Sequence, residues 1–438
     1  MGSKVAKFGG SSLSCAEQFR RVRDIVLGDP ERVYVVPSAP GKRNGSDSKI
    51  TDLLYLAESK AGRSGFESIF EQISQRYTDI VGELGLSLDI NAHLALVREN
   101  LLTGAGPDYA ASRGEYLNGI ILADYLGYAF VDAAEVICFN EKGVFEPEKT
   151  QKAMAGRLQK SKPAVIPGFY GAMPDGSIKT FSRGGSDITG AIVSRAVQAD
   201  IYENWTDVPG FLVADPRIVE NPKVIEYITY KELRELSYMG ATVLHEDAIF
   251  PVRQSGIPIH VRDTNAPAQK GTMIVKDLPK GYTPGAITGI AGRKGFTVIA
   301  IEKALMNAEV GFGRRVLWVL ERHGVSFEHM PTGIDTLSLV ISDTELNGKL
   351  DAVLTDLWAE CNPDSIEALS NMSVIATVGQ GMIRRVGIAA ELFTALARSA
   401  VNVRMIDQGS SELNIIVGVE NDDFENAVRA IYCAFVDK

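Results

Sequence analysis

The stretch "KVAKFGGSSL" (residues 4–13) carries one lysine, Lys7, in a short apolar run that breaks on Gly9 and Gly10, with Ser11 and Ser12 behind. A strand ending in glycines and followed by a helical pattern (16–27) is the opening of an α/β unit. Glycines let backbone N–H groups come close to an anion, and an ammonium at the strand's end can offset its charge. An edge strand followed by an ordinary turn would use the same residues. The choice between them rests on the rest of the chain.

Working outward, the alternation continues. "VYVVPSA" (33–39), "PAVIPGFYG" (163–171), "ADIYENWTD" (199–207) and "IPIHVRD" (257–263) are short runs bounded by turn residues, and they predict buried strands of a mostly parallel sheet. Helical patterns lie between them at 48–60, 112–126, 187–198 and 230–239. The expectation is an α/β fold with helices on both sheet faces and ligands beyond the carboxyl ends of the strands.

Pro279, Gly281, Pro284 and Gly285 punctuate a linker. After it the pattern is shorter and occurs twice. "FTVIAIEKA", "RRVLWVLERHG", "VSFEHMPTG", "DTLSLVISD" and "KLDAVLTDLWAEC" form one β-α-β-β-α cycle. "MSVIATVG", "RRVGIAAELFTALARSA", "VNVRMIDQGSSE", "LNIIVGVEN" and "FENAVRAIYCAF" form the other. Each cycle is the beginning of a ferredoxin-like α+β unit. The second cycle has no final strand of its own, and an open sheet edge must be covered. Residues 286–291 are expected to fill it. The expected division is an α/β domain at 1–283 and two α+β units at 292–368 and 372–438.

The totals set limits. The chain has 438 residues, 45% hydrophobic and 23% charged, which suits a globular protein of two or three domains. A net charge of −10 argues against a nucleic-acid surface, though a few placed cations can still hold a small anion. Cys15, Cys138, Cys361 and Cys433 are too scattered for a disulfide framework or a thiolate metal site, so the cytoplasm is the expected setting. No H-E-x-x-H occurs, and no apolar stretch is long enough to span a bilayer. G-x-x-x-x-G-K-[ST], H-R-D and D-F-G are absent, and the three G-x-G pairs never extend to G-x-G-x-x-G.

Two more stretches carry chemistry. "FSRGGSD" (181–187) sets Arg183 and Asp187 around a second glycine pair at a helix start, a place suited to anions. Asp187 as a plain N-cap is the other reading. "NWTDVPGFLVADPR" (204–217) ends a strand on Thr206 and Asp207 and continues as an irregular loop, either a nucleotide platform or a surface loop.

Together with "SRGEYLNG" (112–119), "GATVLH" (240–245) and "QGSSELNIIVGV" (408–419), these stretches resemble the aspartokinase branch of the amino-acid kinase family, over essentially the whole chain. The resemblance implies a three-layer amino-acid kinase fold followed by two ACT domains. It implies ATP and Mg²⁺, with the metal mainly on the phosphates, and L-aspartate as phosphoryl acceptor. It places Lys7, Gly9, Gly10, Ser11 and Ser38 at the phosphates, with Asp187 ordering the catalytic lysine. Thr206, Asp207, Leu212, Arg217 and Thr242 fall at the nucleotide. Arg183 would grip an aspartate carboxylate, Glu115 its ammonium, and Thr51 would bond nearby.

Leu212 stands where a tyrosine often stacks, and Thr242 where a lysine is common. Nucleotide affinity is therefore expected to rest more on Arg217, Lys42 or Arg43. The loop at 41–49 is read as a lid or a solvated insertion. An amino-acid effector, lysine before threonine, is expected at Met306, Phe312, Glu328, Gly333 and Asp335, although Glu328 fits a solvated strand position equally well. A homodimer or homotetramer through the ACT units is implied, with no nucleic-acid or membrane partner. A kinase for another carboxylate, or a sensor with an inactive kinase domain, are the competing functions.

Overall fold

The computed structural model describes residues 2–182, 184–241, 244 and 246–437. By internal contacts the chain divides into two compact units. One comprises Met1–Phe211, Val224–Tyr230 and Thr242–Pro279; the other comprises Leu212–Lys223, Lys231–Ala241 and Lys280–Lys438.

In the first unit, β1 (Lys4–Phe8), β2 (Arg32–Pro37), β3 (Ala129–Phe130), β4 (Ala164–Val165), β7 (Ile201–Thr206), β8 (Tyr227–Thr229), β9 (Ile259–Asp263) and β10 (Thr272–Val275) make an eight-stranded sheet. Its order is β3-β4-β2-β1-β7-β9-β10-β8. Neighbours are parallel except β9 and β10. β5 (Tyr170–Ala172) and β6 (Ile178–Thr180) pair separately. The helices are α1 (Ala16–Leu27), α2 (Ile50–Ser59), α3 (Phe66–Leu84), α4 (Ile90–Leu102), α5 (Gly106–Leu126), α6 (Ala133–Val136), α7 (Pro147–Leu158), α8 (Gly185–Ala196) and α10 (Glu246–Ser255), while α9 (Tyr230–Tyr238) belongs to the second unit from Lys231 on.

Alternation along the central strands builds the layers. Ala6 and Phe8 join a buried cluster with the apolar faces of α1 to α5, and Phe8 stacks on Trp205 at 6.0 Å. Lys7 and Asn204 point to the opposite face, where α8 packs. β1 has β2 on one side and β7 on the other, so the chain's direction of travel reverses between them. Such a switch point leaves a crevice beyond the carboxyl ends of the strands.

One expected strand is really two pieces. Of 163–171, only Ala164–Val165 stays in the main sheet, and Tyr170 onward joins the small hairpin. Pro167 and Gly168 break it, and a Cβ on Gly168 would stand 2.7 Å from Ser186 Cα, so the chain leaves the sheet to run tightly past the start of α8.

In the second unit, β11 (Gly289–Glu302), β12 (Thr336–Ser342), β13 (Ser365–Val378), β14 (Met405–Asp407) and β15 (Asn414–Glu420) form one antiparallel sheet, ordered β12-β11-β13-β15-β14. Helices α11 (Phe312–Arg322), α12 (Asp343–Leu346), α13 (Leu350–Cys361), α14 (Ile388–Arg398) and α15 (Phe424–Phe435) accompany it. β11 runs without interruption through what the sequence suggests are two elements. Its first half pairs with the end of β13 (Gly289 with Val378) and its second half with the beginning (Glu302 with Ser365). The expected strand "VSFEHMPTG" is reduced to bridges at His329 and Thr332, because Pro331 and Gly333 interrupt it.

This unit also takes in two earlier segments, so the division is not the continuous 1–283 of the sequence reading. Hydrogen bonds explain it. Ile290 N donates to Val213 O (2.7 Å), and Thr288 Oγ1 (2.6 Å) and Gln380 N (2.8 Å) both donate to the buried carboxylate of Glu232 on α9. Asn414 Nδ2 donates to Glu235 at 2.8 Å. Among the described residues, no helix is long and apolar enough to cross a membrane.

Candidate active site

The crevice between β1 and β7 holds the expected pair. Lys7 is 7% exposed, and its Nζ lies 2.6 Å from Asp187 Oδ1. Asp187 belongs to the first turn of α8, whose N-cap is Gly184 with φ of 59° and no side-chain cap. The carboxylate is therefore free of capping duty and serves the lysine, which rejects the N-cap reading. Asn204 Nδ2 donates to the same oxygen at 2.8 Å, and Tyr202 Oη donates to the Asp187 carbonyl at 3.1 Å.

The glycine loop follows directly. Gly9 N donates to Trp205 O at 3.0 Å, and a Cβ on Gly9 would stand 3.8 Å from Lys7 Nζ, in the space beside the ammonium. Gly10 has a second reason to lack a side chain. Its Cβ would meet Ala39 O at 2.8 Å, and one on Gly41 would meet Gly10 C at 2.7 Å. The two loops thus close on each other, joined by Gly41 N donating to Gly10 O at 2.8 Å. Ser38 is held from both sides: its N–H donates to Phe8 O (3.1 Å), and its carbonyl accepts from Asn118 Nδ2 (2.8 Å).

"SRGEYLNG" acquires a reason at each position. Ser112 Oγ donates to Tyr109 O. Arg113 is boxed by the rings of Tyr109, Tyr116 and Tyr170 at 4.5, 4.4 and 5.1 Å. A Cβ on Gly114 would stand 2.6 Å from Ala39 Cβ, so only glycine lets α5 approach the strand end. Glu115 is then buried, 6% exposed, with the backbone N–H of Ala39 on its carboxylate and Oε2 without a partner. Burial pushes its pKa up to about 8. Thr51 lies in the first turn of α2, one turn before Leu54, which packs against Gly114.

β7 ends on Thr206, with Asp207 next, at the carboxyl end of the central strands. Thr206 O accepts from Thr264 N at 2.8 Å, and the Thr264 hydroxyl meets Ser12 Oγ at 2.8 Å, tying the glycine loop to β7 and β9. Leu212 and Arg217 fall in the second unit's segment Leu212–Lys223, and Arg217 is paired with Asp215 at 2.6 Å. Arg43 is likewise paired, with Asp47 at 3.1 Å. Two of the three cations expected to replace a missing lysine, Arg217 and Arg43, therefore already hold a carboxylate. Arg183 and Thr242 lie outside the described residues. The loop at 41–49 is latched: Arg76 of α3, 4% exposed, donates to Gly41 O at 3.1 Å and to Asp47 Oδ2 at 2.5 Å.

In the second unit, the structure brings four of the five effector positions together. Met306 and Phe312 are buried beside the loop after β11. The Asp335 carbonyl and carboxylate accept from Lys303 N (2.8 Å) and Leu305 N (2.9 Å), and Gly333 N donates to Thr336 O (2.7 Å). Glu328 has other partners, Arg293 Nη2 at 3.3 Å and the Tyr238 hydroxyl. Burial and that carboxylate push the hydroxyl's pKa up to about 12.

Asn118, Asn204, Thr264 and Arg76 escaped the sequence reading. For Asn204, the available signal was an amide in the middle of a strand whose neighbours read as buried. For Arg76, it was a charge on the apolar stripe of Ile73, Tyr77 and Ile80.

Residues 3–263 match the sequence model of the amino acid kinase family, and residues 375–435 match that of an ACT domain. The chain is similar to aspartokinase 3 of Bacillus subtilis, 38% identical over 453 residues that cover 99% of this chain and 98% of that protein. The crystal structure of aspartate kinase from Clostridium acetobutylicum, described as an allosteric enzyme, superposes with a TM-score of 0.90 at 57% identity, covering 99% of this chain and 100% of that one. Aspartokinase III of Escherichia coli is 26% identical in two structures. Its R-state complex with aspartate and ADP has a TM-score of 0.72 and covers all of both chains. Its T-state complex with lysine and aspartate has a TM-score of 0.74 and covers 99% of each.

Proposed function

The chain belongs to the amino acid kinase family, in its aspartokinase branch, and from that premise we propose that it transfers the γ-phosphoryl group of ATP to the side-chain carboxylate of L-aspartate. The product, 4-phospho-L-aspartate, opens a route to lysine, threonine and methionine. The observation that carries the reading is the Lys7–Asp187 pair at 2.6 Å, set beside glycines at the sheet's switch point.

The reaction joins two anions. An aspartate carboxylate oxygen forms a bond to the γ-phosphorus while the bridging oxygen leaves with ADP. At an effective dielectric of about 20, unit charges about 4 Å apart repel by about 4 kcal/mol. Lys7 offsets that charge, with Asp187 keeping its ammonium at the strand end. Gly9, Gly10 and Ser11 close around the phosphates, with Ser38 alongside. The unpartnered Oε2 of buried Glu115 is matched to the substrate ammonium. Arg183 takes a substrate carboxylate, Thr51 bonds nearby, and Thr206, Asp207, Leu212, Arg217 and Thr242 serve the nucleotide. The Ser11 hydroxyl and the Asp207 carboxylate are oxygen donors of the kind Mg²⁺ accepts. Bound mainly to the phosphates, the ion would supply further charge neutralisation.

Two ACT units, 292–368 and 372–438, are the regulatory part. The second is closed by residues 286–291, a reading supported by the pairing of Gly289–Gly292 with Val378–Ile375. The effector is an amino acid, lysine before threonine, at Met306, Phe312, Gly333 and Asp335 with Glu328 near them; the lysine complex of the Escherichia coli relative supports that order. The assembly is a homodimer or homotetramer through these units, in the cytoplasm.

Hydroxylamine trapping of the acyl phosphate tests the reaction. Hydroxamate should form with aspartate and not with glutamate, and lysine should lower the initial rate more than threonine does. Equal product from glutamate would reject the substrate assignment.

A further inference from the structure

Asn204 stands opposite Lys7 in the parallel register of β1 and β7. It is 3% exposed, in the middle of a central strand. Its amide donates to Asp187 Oδ1 at 2.8 Å, the oxygen that also takes Lys7 Nζ at 2.6 Å. A carboxylate only accepts when ionised, so the amide must present its NH2 there. Two residues earlier on the same face, Tyr202 donates to the Asp187 carbonyl. β7 therefore grips Asp187 by main chain and side chain together.

The consequence concerns Lys7. Its four-carbon stem is flexible, and an ammonium held by one rotating carboxylate would wander with it. A second donor on the same oxygen fixes the carboxylate. It also draws off part of that oxygen's charge, which leaves the ammonium freer to meet a phosphate. We propose that Asn204 is a positioning residue for phosphoryl transfer, holding Asp187 so that the Lys7 ammonium stays over Gly9. The inference rests on the kinase reading above and adds to it a residue outside the site assignments. The groups that face Asn204 are Lys7 from β1, Asp187 from α8 and the Tyr202 hydroxyl from its own strand; its β9 neighbour, Val261, carries no charge.

The test uses full-length Asn204→Leu and Asn204→Asp, assayed by hydroxamate formation beside the wild type. Leucine keeps the volume and removes the donor. It should lower kcat by about 10- to 100-fold, as a misplaced catalytic group does, while the KM values for ATP and aspartate change less than about threefold. Aspartate at 204 can donate only when protonated, and a like-charged neighbour favours that form. Its activity relative to wild type should therefore rise as the pH falls from about 8 to about 6, while that of Asn204→Leu stays flat. An unchanged kcat in Asn204→Leu overturns the inference, and so does a flat ratio for Asn204→Asp. A wild type that forms no hydroxamate would instead overturn the kinase reading, and this inference with it.

Discussion

Glu115, buried and proposed to meet the substrate ammonium, lets stability and substrate binding be tested at one side chain. Its pKa is raised by burial from 4.5 to about 8. Between those values the folded chain holds a proton that the unfolded chain releases, so stability falls as the pH rises through that range and the loss levels off above about 8. At about 1.4 kcal/mol per unit, the cost at alkaline pH is on the order of several kcal/mol. Glu115→Gln should therefore raise the melting temperature of the ligand-free protein at pH 8 and change it little at pH 5. The same variant should raise the KM for aspartate by about 100-fold, since a buried ammonium would lose its counter-charge. Lys7→Ala should abolish turnover and leave a folded protein, seen as an intact thermal transition. Residues of this kind were legible because each stands inside a short motif. Asn204 opens one of those motifs and Thr264 lies in none, and neither role was legible, because packing of α8 and of the glycine loop brings the partners to them, at sequence separations of 17 and 252 residues.

At the scale of elements, periodicity was a sound guide where one packing face dominates. Helix α1 falls where the recurrence of Phe19, Val22 and Val26 puts it. The reading failed where a local break outweighs apolar character, as at Pro167–Gly168, and where one long strand runs through both repeats of a single sheet, as β11 does. Neither sheet sharing nor the exit of a strand leaves a periodic trace. The approach of α5 to the end of β2 is a case in which one missing methyl decides an element's position. Adding it back in Gly114→Ala forces 2.6 Å against Ala39 Cβ, where neither partner is a flexible side chain. Overpacking of this sort costs about 1–3 kcal/mol. It should also push Glu115 off the Ala39 N–H and raise the KM for aspartate. Removing the opposing methyl in Gly114→Ala/Ala39→Gly should restore most of the lost stability. Additive losses in that double-mutant cycle, read by urea unfolding, would show that the two residues do not meet as described.

For the molecule as a whole, the second unit's repeats raise a question of cooperativity. Tandem repeats that touch only at their borders can open one at a time. Here β11 and β13, 14 residues each, pair with one another along most of their length. β12 attaches to the second half of β11 and β15 to the second half of β13, so each repeat's sheet ends on a strand that belongs to the other. Neither can lose its central strand without stripping its neighbour. Ile299→Ala in the first repeat and Ile375→Ala in the second both empty fully buried sites, and each should cost about 2–5 kcal/mol. The two variants should lower hydrogen-exchange protection to the same extent across β12 and across β15, whichever repeat carries the substitution. Protection lost only in the mutated repeat would mean that the shared strands do not couple them. An effector held at one repeat would then have no route through this sheet to the other. With shared strands, binding of the proposed effector beside Met306 and Asp335 should slow exchange in β15 as well as in β12, and a titration with lysine followed by exchange at both strands measures that directly.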